Sequence, residues 1–185
     1  SPYAATKKAG ELLCYTWHHL FGLNTACLRF FTVYGPRQRP EMAIHQFIRR
    51  IDRDEPVSMF GDGSTSRDYT YVDDIVDGIV AATERIQGYR IWNLGESKTI
   101  TLRALIDRIG HHVGRTPRVD VRPLQPGDVT RTFADIDRAR AELAVERVRE
   151  HLHAHPVLAD GLGHRDGLPL GRAVLERGRG LEEEA

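Results

Sequence analysis

Tyr3 and Lys7 stand four residues apart in Ser1-Pro2-Tyr3-Ala4-Ala5-Thr6-Lys7, a spacing that could do acid–base chemistry. Residues i and i+4 of an α-helix share a face, so an ammonium one turn from a phenol favours the phenolate, the form that takes up a proton. Ser1 suits an N-cap and Pro2 the first helical position, which sets Tyr3 near the positive end of the helix dipole. Arg39 and Arg67 offer planar guanidinium forks suited to a carboxylate or a diphosphate, and Arg67 follows a glycine turn, Gly61-Asp62-Gly63. Two other groupings look chemical and are read otherwise. Asp73 and Asp74 pair two carboxylates at a strand-to-helix junction, where they are expected to cap the helix. His151, His153 and His155 alternate as ligands on one strand face would, but no Cys or strand pattern accompanies them, so no metal is assigned.

The elements that must position these residues alternate between helix and strand. Apolar residues at Ala9, Leu12, Leu13, Trp17 and Leu20 predict a helix from Ser1 to about Leu20, with Gly22 as its stop. Thr25 to Phe31 is a continuous apolar run of strand length, the pattern of a strand buried on both faces of a parallel sheet. Ala43–Asp52 carries a helical stripe of Ile44, Phe47, Ile48 and Ile51. Val57–Phe60 and Tyr69–Val72 read as strands, and a helix follows through Ile75, Ile79 and Ala82 to about Ile86. Ile91–Leu94 is strand-like. Thr101 caps an amphipathic helix ending at Gly114. Val119–Leu124 is a short strand, and Asp135 opens a last helix to Leu143. Mixed elements without repeats make the fold α/β.

The 185 residues are 41% hydrophobic and 28% charged, enough for a buried core. With 26 basic and 26 acidic side chains the formal charge is zero, which argues against a general nucleic-acid or anionic-membrane binder. Cys14 and Cys27 read as reduced, packed thiols, and no run approaches the ~18 apolar residues of a membrane span. A cytoplasmic location is expected.

Leu28-Arg29-Phe30-Phe31-Thr32-Val33-Tyr34-Gly35-Pro36-Arg37, Phe60-Gly61-Asp62-Gly63, Arg67-Asp68-Tyr69-Thr70-Tyr71-Val72-Asp73-Asp74 and Gln125-Pro126-Gly127-Asp128-Val129 follow the Tyr3–Lys7 pair in that order. Together they resemble the extended short-chain dehydrogenase/reductase family, specifically its NAD-dependent nucleotide-sugar epimerases and dehydratases, over Tyr3 to about Leu143. The run from Thr32 to Met42 is most similar to the enzymes acting on UDP-glucuronate.

The resemblance implies the carboxyl-terminal part of a Rossmann-type doubly wound sheet plus a small α/β substrate-binding domain. Residues 1–35 would end the NAD-binding domain and 36–143 form the nucleotide-sugar region. Residues 144–185, without Phe, Tyr or Trp and rich in Arg, Gly and His, form an atypical tail, read as frameshifted, fused or disordered. No strand, glycine-rich turn and helix precedes Tyr3, and Gly161-Leu162-Gly163 with Gly167 lacks a preceding strand, so the chain reads as the carboxyl-terminal half of such an enzyme, inactive alone.

By resemblance, Tyr3 is the general base and Lys7 both supports it and holds the nicotinamide ribose. The family's upstream Ser or Thr is not in this sequence, and Ser1 is read as a cap. Phe30 and Thr32 would lie near the nicotinamide, Thr32 also near the sugar. Arg39 would meet a uronate carboxylate, Phe60 the uracil, Arg67 the diphosphate and Asp128 the ribose hydroxyls. Gln125 stands where some relatives have Arg, which leaves one diphosphate contact open. The implied reaction is epimerisation at C4 of a UDP-sugar, UDP-glucuronate or UDP-glucose, through a 4-keto sugar with NAD regenerated each cycle. A 4,6-dehydratase and a non-catalytic UDP-sugar-binding fragment remain the alternatives. No nucleic-acid or membrane partner is implied, and a homodimer through the Tyr3 helix is a family expectation.

Overall fold

The structure, a computed structural model, describes residues 1–125 and 127–144. The expected tail beyond Ala144, with His151, His153, His155 and Gly161-Leu162-Gly163, lies outside them. In chain order the elements are α1 (Pro2–Phe21), β1 (Thr25–Phe30), β2 (Val33–Tyr34), α2 (Ala43–Asp52), β3 (Val57–Phe60), β4 (Ser66–Asp68), β5 (Thr70–Tyr71), α3 (Val72–Arg85), β6 (Tyr89–Leu94), β7 (Thr99–Thr101), α4 (Leu102–Val113), β8 (Val119–Arg122) and α5 (Asp137–Leu143). No described helix is long and apolar enough to cross a membrane.

Local chemistry accounts for most boundaries. The Ser1 hydroxyl accepts from the Ala4 N–H at 3.3 Å, and Gly22 closes α1 in the left-handed conformation, its N–H bonded to the His18 carbonyl. Thr101 caps α4 by accepting from Ala104 at 3.2 Å, and Gly114 ends it in the same left-handed way. The expectation for Asp73 and Asp74 is corrected. The N-cap of α3 is Tyr71, extended and without a side-chain cap, because β5 runs directly into the helix. Asp73 therefore lies exposed in the first turn, while Asp74 is buried.

The chain forms two units, each built from several segments. The first comprises residues 1–33, 68–99 and 127–144. In it β1 and β6 pair in parallel, in register from Thr25 opposite Tyr89 to Phe30 opposite Leu94. Ile75, Ala81 and Ala82 of α3, Trp92 and Leu94 of β6, and Ala139 and Leu143 of α5 form its core, with Ala26 and Leu28 packed against them. The Trp92 indole N–H donates to the Glu142 carboxylate at 2.8 Å, which satisfies the one polar atom of that buried ring. β1 is not buried on both faces as its apolar run suggests. Thr25 to Leu28 are half-buried and Arg29 and Phe30 exposed, since β6 is its hydrogen-bonded neighbour among the described residues.

α1 forms where its pattern predicts, with its apolar residues on the exposed side. The apolar stripe of Leu12, Leu13, Trp17 and Leu20 faces solvent, and no residue of the helix is buried. Toward the sheet it turns Glu11 and Tyr15, with His18 one turn further on. Glu11 binds Arg29 at 2.6 and 2.8 Å, the Tyr89 hydroxyl donates to the Glu11 carbonyl at 3.0 Å, and Tyr15 meets Tyr89 edge-on at 5.4 Å. A bidentate guanidinium–carboxylate pair is the stronger kind of ion pair, and Arg29 holds the Glu11 carboxyl at about 2.

The second unit comprises 34–67 and 100–125 among the described residues. β3 and β8 pair in parallel, Val57 opposite Val119 to Phe60 opposite Arg122, and α2 packs on α4. Ile44, Phe47, Ile48 and Ile51 of α2, Val57 and Met59 of β3, and Leu105, Ile106 and Ile109 of α4 are its buried residues.

Glycine is required at Gly95, where an added Cβ would stand 2.4 Å from the Ala134 Cβ, whereas at Gly10 of α1 it would meet nothing within 4 Å. Gly95→Ala is expected to lower stability by about 1–3 kcal/mol through overpacking. Gly10→Ala should raise it by up to ~1 kcal/mol, the helix-propensity difference. Urea unfolding of the two variants checks the opposite signs.

Candidate functional site

Tyr3 occupies the first turn of α1, capped by Ser1, and its ring is 71% exposed. The Lys7 ammonium lies 5.5 Å from the centroid of that ring, so the two side chains share one face as their spacing demands. The Thr6 hydroxyl donates to the Tyr3 carbonyl at 2.8 Å and stays out of the pair. A phenol open to solvent with an ammonium beside its ring is a pair that a ligand can reach.

Phe30 ends β1, 49% exposed. The Phe31 N–H donates to the Leu94 carbonyl at 3.1 Å, and the Thr32 carbonyl accepts from the Thr70 N–H at 3.2 Å. The strand end is thereby held by backbone bonds on both sides of Phe31, with side chains left to vary. Asp128, in the same unit, is exposed and accepts from the Val129 N–H at 2.9 Å.

In the second unit Phe60 ends β3, half-buried. The following turn is built for a close approach: Gly61 and Gly63 have φ of 73° and 82°, and the Asp62 carboxylate accepts from the Ser64 N–H at 2.9 Å. Gly63 and Thr65 carbonyls accept from Arg103 and Leu102 at the start of α4, at 3.1 and 2.8 Å. Arg67 is half-buried and donates to the Ser66 carbonyl at 2.9 Å. Arg39 is exposed and paired with Glu41 at 3.3 Å. Of the residues expected to act, the structure brings Tyr3 and Lys7 into mutual contact; Phe30 and Phe60 end strands, Arg67 is the middle residue of β4, and Thr32, Arg39 and Asp128 lie in loops.

A group the sequence reading passed over lies behind the β1 end. Asp68 is fully buried and accepts three backbone N–H bonds, from Glu96 at 3.0 Å, Ser97 at 3.0 Å and Ala134 at 3.1 Å. Asp74 and Glu96 are buried in the same unit, 8% and 5% exposed. Burial pushes the Glu96 carboxyl up to about 7, the negative charges of Asp74 and Asp68 push the same way, and Lys98 partly opposes them. Asp74 was hidden by its place beside Asp73 in a cap-like dipeptide. For Glu96, an acid directly after a strand-closing glycine is the one available signal.

Among the described residues no group of three or more His, Cys, Asp or Glu side chains is arranged to hold a metal ion. Residues 1–95 match the model of the NAD dependent epimerase/dehydratase family. Over 141 residues the chain is 45% identical to the UDP-glucuronate 4-epimerase of Thermodesulfobacterium geofontis, covering 76% of this chain and 43% of that protein. The crystal structure of UDP-glucuronic acid 4-epimerase from Bacillus cereus with UDP-glucuronic acid and NAD aligns at a TM-score of 0.74 and 39% identity, over 78% of this chain and 47% of that one. UDP-glucose 4-epimerase from Thermotoga maritima, solved with UDP-glucose, aligns at 0.78 and 29%, over 98% and 55%. The chain thus spans about half the length of the relatives it matches, and its fold is the α/β Rossmann type of those epimerases.

Glu96 gives the cluster a pH signature. Its folded value near 7 lies above the ordinary 4.5, so the folded state holds a proton that the unfolded state has lost between those values. Stability is therefore highest below pH 4.5 for this group and falls as pH rises through 7, by on the order of 3 kcal/mol at about 1.4 kcal/mol per unit. Glu96→Gln should flatten the profile between pH 5 and 8. Urea midpoints across that range, wild type against variant, provide the check.

Proposed function

The chain belongs to the NAD dependent epimerase/dehydratase family, and from that premise we propose that it serves NAD-dependent epimerisation at C4 of a UDP-sugar, with UDP-glucuronate as the favoured substrate. The observation that carries the proposal is the exposed Tyr3 ring with the Lys7 ammonium 5.5 Å from its centroid. The relatives named above are epimerases, which supports isomerisation over 4,6-dehydration.

The residues fit the cofactor. A solvent-open phenol and an ammonium able to donate to ribose hydroxyls are the donors a nicotinamide ribose needs, and Phe30 presents an exposed aromatic face at the end of the same unit's strand. NAD, when bound, supplies reversible hydride acceptance. The chain's own residues handle the proton. Tyr3 Oη, as phenolate, takes the proton of the C4 hydroxyl. It returns that proton to the oxygen of the inverted alcohol, so no net proton is lost. Lys7 donates to the nicotinamide ribose hydroxyls, as an ammonium with three N–H groups can.

Residues 1–35 would carry this cofactor side and 36–143 most of the nucleotide-sugar contacts. Arg67 supplies a fork for the diphosphate, Phe60 an aromatic face for uracil, and Asp128 a charge-assisted acceptor for ribose hydroxyls. Thr32 and Arg39 are assigned to the sugar. The Arg39–Glu41 pair is exposed and of the kind worth little, so a substrate carboxylate can displace Glu41.

Turnover of UDP-glucuronate by the protein carrying this chain, followed by NMR, tests the proposal. Tyr3→Phe should lower kcat by about 10²–10⁴ with KM within a few-fold, since it removes the proton acceptor and little binding surface. Undiminished turnover by this variant would overturn the reading. Arg67→Ala should instead raise KM and weaken UDP binding, measured by calorimetry, by about tenfold or more.

A further inference from the structure

We propose that Cys14 and Cys27 are a redox-responsive pair, which a small-molecule disulfide converts to an intramolecular disulfide joining α1 to β1. The packing of the first unit leads to this. Glu11 of α1 and Arg29 of β1 are fixed face to face at 2.6 and 2.8 Å. Cys14 lies three residues on along the helix, one turn and therefore on the face of Glu11. Cys27 lies two residues back along the strand and therefore on the side of Arg29. One helical turn forward and one strand repeat backward bring Cys14 and Cys27 to neighbouring positions across the helix–strand contact, and after burial it is Cys14 that most pushes the Cys27 thiol up. The Tyr15–Tyr89 contact at 5.4 Å and the Tyr89 bond to the Glu11 carbonyl hold the helix on the strands beside them.

Both cysteines are reduced and half-buried, open enough for a small reagent. The surroundings favour redox chemistry over metal capture. Glu11 is already spent on Arg29, and no set of three ligating side chains is present among the described residues. Burial pushes the Cys27 thiol up, Cys14 and Glu11 push the same way and Tyr89 opposes them, and Cys27 in turn acts on the Arg29 guanidinium. Exchange therefore accelerates toward alkaline pH, where the attacking thiolate forms.

The step balances as an exchange. A thiolate of the pair attacks an oxidised glutathione sulfur and releases one glutathione thiol. The second cysteine then attacks the protein sulfur of the mixed disulfide and releases the other. The chain loses two hydrogens and the oxidant gains them. The site depends on helix–strand packing and not on the proposed reaction, so either can fail alone.

The native chain is incubated with oxidised glutathione and examined by intact mass, non-reducing peptide mapping and thermal unfolding. The expected product is a monomer lighter by two hydrogens, without glutathione, containing a Cys14–Cys27 peptide and reverting with dithiothreitol. Its thermal midpoint should rise by roughly 5 °C, because the bridge closes a loop in the unfolded chain. Cys14→Ser and Cys27→Ser should each stop at a single glutathione adduct. Two adducts on the wild type, disulfide-linked dimers, two unreacted thiols or a lowered midpoint would each overturn the proposal.

Discussion

The buried Asp68 carboxylate is the constraint on which the first unit depends. Its three N–H bonds tie together the exit of β6 at Glu96 and Ser97 and the segment before α5 at Ala134. Without it the buried Glu96 and Ala134 N–H groups would be orphans and the half-buried Ser97 N–H would lose its partner, and a buried polar group left unmade costs about 1–3 kcal/mol. The same knot forces the close approach at Gly95. From there the order passes to the strand end, because the Leu94 carbonyl receives Phe31 and the Thr32 carbonyl receives Thr70. Phe30 and Thr32 therefore owe their positions to a carboxylate that touches neither.

Three buried acids in one unit set a limit on what that knot can tolerate. Asp68 has its backbone donors, but Asp74 and Glu96 add like charge in a poorly solvated place, and the cheapest relief is to keep a proton on Glu96. The contrast with Glu11 is instructive. There a guanidinium neutralises the carboxylate and holds it ionised at about 2. Burial without a cation at Glu96 and a guanidinium beside the half-buried Glu11 thus drive two glutamates of the same unit in opposite directions.

Much of this architecture is written locally. α2 and β3 have the bounds their patterns predict, and Ser1, Gly22, Thr101 and Gly114 cap as their types suggest. The short strands β2, β4 and β7 are two or three residues long and leave no periodicity to read. Which face of α1 meets the sheet is set otherwise. Hydrophobic spacing chooses Leu12, Leu13, Trp17 and Leu20, but the Glu11–Arg29 fork and the Tyr15–Tyr89 contact choose the opposite side. Such pairings join residues 18 and 74 positions apart, and no local pattern encodes them. The buried acids were invisible for the same reason: Asp68 and Ala134 are 66 residues apart. Of the candidate site, the Tyr3–Lys7 pair was legible because both residues lie on one helical turn.

That division has a physical logic. Side chains proposed to touch ligands sit where backbone is secure and the side chain is not consumed: Tyr3 one position past a capped helix start, Phe30 at a strand end, and Phe60 before a turn whose glycines and Asp62 hold its shape. The bonds that secure them differ in reach: the Ser1 cap and the Asp62–Ser64 bond are local and exposed, whereas the Asp68 bonds to Glu96 and Ala134 are long-range and buried. A reactive phenol inside the core would need its own partner and would lose its substrate. On the open face of α1 the Tyr3 ring stays exposed, with the Lys7 ammonium 5.5 Å from its centroid and the Ser1 cap holding the turn that carries both.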